Sequence, residues 1–237
     1  INSNADVTAA YIAEELPSSA LKHTANDRGL YYTFALTGTR ISKIYINPRD
    51  TGVQNFSMNI YCIERKKLID LINTAFVRGQ VYFERDVLAP NLDTLNVQGF
   101  KYEGYAARIS DMRSYFEENM KLLDDENLDA LFSGNPIYTK IRDDNPTRYI
   151  PGSKVSNVMA ADGCVIEGRV ENSILFRGVK VAKGAIVRNC ILMQDTVIEE
   201  GAIVDYTITD KQVVISAGKE MKGADTFPLY IAKGHRV

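Results

Sequence analysis

The run Ile174-Leu-Phe-Arg-Gly-Val-Lys180-Val-Ala-Lys-Gly-Ala-Ile186-Val-Arg-Asn-Cys-Ile-Leu192-Met-Gln-Asp-Thr-Val-Ile198-Glu-Glu-Gly-Ala-Ile-Val204-Asp-Tyr-Thr-Ile208 repeats with a period of six. One column reads Ile174, Ile186, Leu192, Ile198, Val204, interrupted only by Lys180, and its neighbour reads Val179, Ala185, Ile191, Val197, Ile203. A third column, Gly178, Gly184, Cys190, Thr196, Ala202, holds small residues suited to a tight corner. Helices repeat every 3.6 residues and strands every two, so a six-residue period rich in β-branched side chains predicts hexapeptide rungs of a parallel β-helix. Outward from this core the pattern stays legible over residues 149–218, which at three hexads per triangular coil gives about four coils. Each coil buries its apolar face only against its neighbours, so the first and last coils are expected to need cover. The segment reads first as scaffold without chemistry of its own.

Composition bounds the rest. Of 237 residues, 45% are hydrophobic and 24% charged, the balance of a globular chain. Lys and Arg number 28 against 30 Asp and Glu, intermingled to a net charge of −2, so no global field draws nucleic acid or an anionic membrane. Cys62, Cys164 and Cys190 are widely spaced and sit in apolar runs. They are expected as buried free thiols in a reducing, cytoplasmic setting. No leader and no apolar run of about 18 residues is visible, so membrane spanning is not expected. The chain starts at Ile1, without methionine and directly before a strand-like phrase, as a fragment of something longer would.

Before the solenoid, strand-like and helix-like phrases alternate as in an α/β layer. Strands are expected over residues 5–12, 30–36, 41–46, 56–62 and 95–102, and helices over 65–77, 84–88 and 111–123. In the last, Met112, Tyr115, Phe116, Asn119, Met120 and Leu123 form one largely apolar stripe that reads as core. Residues 124–149 make a polar connection with Pro136, Asp143, Asp144, Asn145 and Pro146, and a short helical turn at 128–132. The domain boundary is placed near Asn145, giving 1–145 as α/β domain plus linker and 146–237 as β-helix. Pro228 to Val237 leaves the hexad phase and is expected to fold back as a final strand or cap.

No GxGxxG, GxxxxGK[ST] or GxSxG phrase occurs, and His23 and His235 stand near opposite ends in polar settings, as surface residues do. Asp124, Asp125 and Glu126, like Asp143 and Asp144, read as solvated loop charges, and no metal pair stands out. Arg169, Arg177, Lys180, Lys183 and Arg188 form a basic group beside the first coils. Stacked on one face, some of them would hold a phosphorylated effector through charge-assisted hydrogen bonds. The competing reading is a solvated outer face.

The phrases Asn4-Ala-Asp-Val-Thr8, Phe56-Ser-Met-Asn-Ile-Tyr61, Tyr82-Phe-Glu-Arg-Asp-Val-Leu-Ala-Pro90, Gly104-Tyr105, Glu118-Asn-Met-Lys-Leu-Leu123 and Val170-Glu-Asn-Ser-Ile-Leu-Phe-Arg-Gly-Val179, in this order, resemble bacterial glucose-1-phosphate adenylyltransferase. That resemblance implies a Rossmann-like nucleotidyltransferase domain, of which this chain would hold the later part, followed by a left-handed β-helix. It also implies that the nucleotide-binding half would precede Ile1. In catalytic members a Glu-Lys-Pro phrase holds glucose 1-phosphate, whereas the equivalent here reads Ile46-Asn47-Pro48. Where those members carry Gly-Tyr-Trp-Lys-Asp-Val-Gly-Thr, with a carboxylate for magnesium, this chain reads Gly104-Tyr-Ala-Ala-Arg-Ile-Ser-Asp111, with Arg108 at the aspartate position. A cation at a metal-ligand position removes a ligand and repels Mg²⁺. Ser57 is retained as an implied sugar-phosphate contact.

The resemblance therefore implies a non-catalytic D-type subunit in ADP-glucose and glycogen synthesis, with no cofactor of its own and Mg²⁺ only in a catalytic homologue. Such a subunit would pair with a catalytic paralogue as a hetero-oligomer, or with itself, and would take a sugar-phosphate effector. Two alternatives stand beside it. One is an active nucleotidyltransferase that tolerates the changes. The other is a hexapeptide acyltransferase, which would need a histidine base in the coils, where residues 150–218 hold none.

Overall fold

The computed structural model describes residues 4–15, 31–48, 52–109, 111–134, 137–139 and 142–237. Two compact units divide the chain, residues 1–106 and 107–237. The sequence sets its boundary at the Pro- and Asp-rich stretch near Asn145. Residues 107–144 instead belong to the second unit, because the helix there lays an apolar face on the coils.

The first unit combines strands and helices. β1 (Val7–Glu15), β2 (Tyr32–Thr37), β3 (Arg40–Ile46), β4 (Val53–Ile63) and β5 (Val97–Lys101) close as a barrel in the order β1-β4-β2-β3-β5. All pairs are antiparallel except β1 with β5, where Val7 opposes Val97. Alternation decides which side chains enter: Val7, Ala9, Phe34, Ile41 and Val97 point inward and are buried, and Leu88 joins them from a π-helical turn, Phe83–Leu88. Helix α1 (Arg65–Val77) follows β4 and buries no residue, leaving Ile72, Phe76 and Val77 exposed. Cys62 is exposed on β4, contrary to its expected burial, because its neighbours Tyr61 and Ile63 take the inward register.

The second unit is the solenoid with two short helices. β6 (Arg148–Tyr149), β8 (Val165–Ile166), β10 (Lys180–Val181), β13 (Val197–Ile198) and β16 (Val214–Ile215) stack in parallel on one face. β7 (Lys154–Ala160) and β9 (Arg169–Leu175) bend round a corner and so serve two faces. The first of these continues through β11 (Ile186–Arg188), β14 (Ile203–Asp205) and β17 (Glu220–Lys222), the second through β12 (Ile191–Leu192), β15 (Thr207–Thr209) and β18 (Leu229–Ile231).

The repeat is not a uniform hexad. Inward side chains run Val170, Leu175, Val181, Val187, Leu192, Ile198, Val204, Thr209 and Ile215, all buried, with one step of five after every two steps of six. A full coil thus takes 17 residues, as the pairing of Lys180 with Val197 and Val197 with Val214 requires. This slippage explains the polar interruption at Lys180: the inward position in that coil is Val181, and Lys180 faces solvent. It also divides the column of small residues. Gly178 and Gly184 occupy the left-handed corner, at φ 72° and 73°, whereas Cys190, Thr196 and Ala202 are buried one residue beyond it. Burial pushes the Cys164 thiol up and that of Cys190 to about 12, so both pack as small apolar groups.

The shortened step falls at the corner held by Asn157, Asn172 and Asn189, at φ 52°, 45° and 50°. Asparagine tolerates this conformation. Their amides bond from coil to coil, Asn157 Nδ2 to Asn172 Oδ1 at 2.5 Å and Asn172 Nδ2 to Asn189 Oδ1 at 3.4 Å, and Asn189 ends the ladder on Asp205 Oδ1 at 2.9 Å. Outward-facing Ile191 and Ile208 are fully buried because α2 (Met112–Met120) covers them with Phe116, flanked by Tyr115 and Met120. Met112, read as part of that stripe, is exposed. Asp111 caps α2 by accepting from the Ser114 backbone N–H, and α3 (Asp125–Phe132) extends the turn expected at 128–132. The final residues do form a last strand, as expected, but without folding back. β18 continues the stack on β15, and Arg236 pairs in parallel with Val214.

Candidate functional site

Ser57 stands where β4 bulges. Ala9 opposes Tyr61 but Tyr11 opposes Ser57, so two extra residues of β4 bow out, and Asn59 in the bow adopts φ 56°. Bulges of this kind re-aim side chains. The Asn59 backbone N–H donates to Ser57 Oγ at 3.1 Å, and the Ser57 hydroxyl donates to the carboxylate of Glu84. Glu84 lies on the π-helical turn and is 3% exposed, against 5% for Ser57. Burial, then the hydrogen bond to Glu84 and its charge, push the Tyr61 hydroxyl far above its ordinary range. Tyr32 is raised by burial first and by the Glu84 charge second. Ser57 and Glu84 are thus buried and bonded to each other, and the half-buried Tyr61 hydroxyl bonds to the same pair.

Glu84 is the residue that sequence reading missed, although it lies inside the phrase running from Tyr82 to Pro90. Nearby Asp86 is half-buried and holds the turn's start, accepting from the backbone N–H groups of Val81 and Tyr82 at 2.9 Å each. Arg85, bonded to Asp86 and stacked 4.3 Å above the Tyr82 ring, keeps the Asp86 carboxyl well below its usual range together with those amides.

Ile46 ends β3 opposite Tyr32 and is 40% exposed. Asn47 follows at φ 46°, its side-chain oxygen accepting from the Tyr31 N–H at 2.8 Å and its own N–H donating to the Tyr31 carbonyl at 2.9 Å. Its amide therefore serves the backbone. β2 lies between β3 and β4, which puts Ile46 and Ser57 two strands apart, roughly 10 Å. Arg108 belongs to the second unit, half-buried in a segment without regular secondary structure. The magnesium site implied by the resemblance does not fit these residues: Arg108 offers no ligand atom to a cation, and no group of three His, Cys, Asp or Glu with metal-binding geometry occurs among the described residues.

The five basic residues fall in four places. Arg177 shares Asp144 with Arg142, at 3.7 and 3.6 Å. Arg188 pairs with Asp205 at 3.0 Å beside the asparagine corner, while Lys180 lies on β10. Only Arg169 and Lys183 share a concavity, and Lys154 joins them there. The reason is that successive hexads occupy successive faces of the coil, so only positions one full coil apart stack on one face. His235 is exposed as expected, and His23 lies outside the described residues. No helix of the described residues is long and apolar enough to cross a membrane.

Comparison with known proteins matches this geometry. Residues 142–226 match the family described as GlmU-like, C-terminal hexapeptide. Glycogen biosynthesis protein GlgD of Bacillus subtilis (strain 168) is 41% identical over 179 residues, covering 75% of this chain and 52% of that protein. GlgD of Geobacillus stearothermophilus is 41% identical over 133 residues, covering 55% and 38%, and glucose-1-phosphate adenylyltransferase of the same organism is 39% identical over 90 residues, covering 38% and 23%. Over these stretches the chain is similar to GlgD and to glucose-1-phosphate adenylyltransferase. It spans about half the length of the GlgD protein of Bacillus subtilis, and less of the others. The 179-residue alignment to GlgD is longer than the solenoid, so the likeness to GlgD extends beyond the hexapeptide rungs.

Proposed function

We propose that the chain belongs to a regulatory, non-catalytic subunit of glucose-1-phosphate adenylyltransferase, acting in glycogen synthesis beside a catalytic paralogue. The observation that carries this reading is the capture of Ser57 by Glu84. A hydroxyl that would meet a sugar phosphate is bonded inward instead, and a carboxylate beside it opposes a phosphate dianion. Ile46 and Asn47 add no positive charge to offset that field, and Arg108 disfavours Mg²⁺. Similarity to GlgD supports the pathway, and similarity to the adenylyltransferase supports pairing with such an enzyme.

The test is ADP-glucose synthesis from ATP and glucose 1-phosphate by the full-length subunit, alone and mixed with the catalytic paralogue. Silence alone and stimulation in the mixture are expected. Turnover alone at the rate of a catalytic subunit would sink the reading. The pair Asn47→Lys and Arg108→Asp adds a second arm, in which recovered activity marks a degenerate enzyme and continued silence is the expected result.

A further inference from the structure

On the face built from β7, β9, β11, β14 and β17, strand register fixes which side chains stand beside one another. Val155, Val170, Val187, Val204 and Met221 point inward, so the residues on either side of each point out. One outward column runs Lys154, Arg169, Ile186, Ile203, Glu220 and the other Ser156, Glu171, Arg188, Asp205, Lys222, one residue of each column from each of five successive coils. Ile186 and Ile203 are half-buried at the centre of this face, whereas α2 covers a different face, over Ile191 and Ile208. From the second coil to the fifth the charges cancel, Arg169, Arg188 and Lys222 against Glu171, Asp205 and Glu220.

Reversing the order of the coils maps this pattern onto its opposite. A two-fold axis parallel to the strands, set between the third and fourth coils, lays the second coil of one copy over the fifth of another and the third over the fourth. Arg169 then meets Glu220 of the second copy, Glu171 meets Lys222, Arg188 meets Asp205 and Ile186 meets Ile203, and the symmetry makes each contact twice. Neighbouring registers fail. Moving the axis onto the third coil sets Arg188 against Arg188 and Glu171 against Asp205, and moving it onto the fourth sets Asp205 against Asp205 and Arg188 against Lys222. An axis along the solenoid instead lays Ile186 on Arg188 and Ile203 on Asp205, which desolvates a charge against an apolar group. We infer that this face is a docking surface for a second copy of the same chain, the two solenoids running antiparallel. Each cation already pairs within its own copy, Arg169 with Glu171 at 2.6 Å, Arg188 with Asp205 at 3.0 Å and Lys222 with Glu220 at 2.5 Å. The charges are therefore held in place before docking, and the second copy extends the pairs into a network that fixes register. With ~4.8 Å between coils and ~3.3 Å per residue, four coils by about five residues cover roughly 20 Å by 15 Å a side, well under the ~800 Å² of a standard interface. The contact is accordingly weak and reversible.

The test is sedimentation of the 237-residue chain over a concentration series. A monomer–dimer equilibrium is expected within the range up to about 1 mM, where weak specific association is still measurable. Glu171→Lys and Lys222→Glu each set like charges together twice across the axis, and each variant should dimerise about tenfold or more weakly than the wild type. An equimolar mixture of the two variants should recover dimer formation to within about threefold of the wild type, because the substituted position of each copy meets its opposite charge in the other. Neither substitution repairs its own chain, so recovery reads the contact between copies alone. Lys211→Glu, at an exposed turn between β15 and β16, leaves the equilibrium unchanged. A chain that stays monomeric throughout, a variant that dimerises as tightly as the wild type, or a mixture no better than its components overturns the inference. The surface lies wholly within the second unit and the readout is association of the chain with itself, so failure leaves the activity test of the subunit reading untouched.

Discussion

Removing the Glu84 carboxylate strands two hydroxyls, Ser57 and Tyr61, inside the first unit. Glu84→Ala is therefore expected to destabilise the fold by about 2–4 kcal/mol, the lost bonds adding to a cavity, whereas Ser57→Ala costs about 1 kcal/mol. Urea unfolding of both variants checks this, and equal losses would mean that Ser57 alone satisfies the carboxylate. Asp86, two residues on, makes a pH prediction of definite sign. Its folded pKa is depressed by Arg85 and by the backbone amides of Tyr82 and Val81, so its stabilisation is complete above the unfolded pKa and is lost as pH falls through the folded one. Asp86→Asn should lower the unfolding midpoint near neutrality and converge on the wild type as pH falls from about 5 to about 2. A constant offset through that range would disprove the linkage. Neither role was visible from residue types alone. A glutamate reads as solvent-facing in any local window, and Glu84 is buried only because β4 brings Ser57 across from 27 residues upstream.

Corners, not rungs, set the geometry of the solenoid. The apolar period announces parallel stacking from the sequence because the inward residues are aliphatic in every coil but for Thr209. It misstates the pitch, because a five-residue step hides within hexads wherever an outward neighbour is also aliphatic, as Ile191 is beside Leu192. The asparagines at the shortened corner mark that step, and their role is separable into backbone and ladder terms. Asn172→Gly keeps the left-handed backbone at φ 45° and loses two coil-to-coil amide bonds, one of them long at 3.4 Å. It should cost about 1 kcal/mol. Asn172→Ala loses the same bonds and adds the penalty of a Cβ in that conformation, a further 1–2 kcal/mol or so. If the two variants unfold at the same denaturant midpoint, backbone conformation contributes nothing at the corner and the ladder carries the whole effect.

Across the whole chain, the solenoid and the strand-and-helix character of the first unit were legible, and the place where the units divide was not. Asp- and Pro-rich composition marks residues 143–146 as irregular, but compactness follows burial, and Phe116 lies over Ile191 and Ile208 from a helix upstream of that stretch. A stack whose coils touch only their neighbours should also lose structure from its ends. Besides its strand ladders, the last coil is held by contacts that include Arg236 Nη2 to Glu199 Oε1 at 2.9 Å, the Ala217 N–H to Glu199 Oε2 at 3.1 Å, and backbone bonds from Val237 and Val214. Glu199→Ala removes the first two. Both contacts are exposed, so water replaces them in part and the loss is put at up to about 1 kcal/mol. Amide exchange locates that loss. Val214 and Ser216 should exchange about fivefold faster in the variant, while Val181, Val187 and Leu192 in the middle coils keep the wild-type rate. Uniform acceleration would mean that the coils open as one cooperative unit, and the additive account of the stack would then fail.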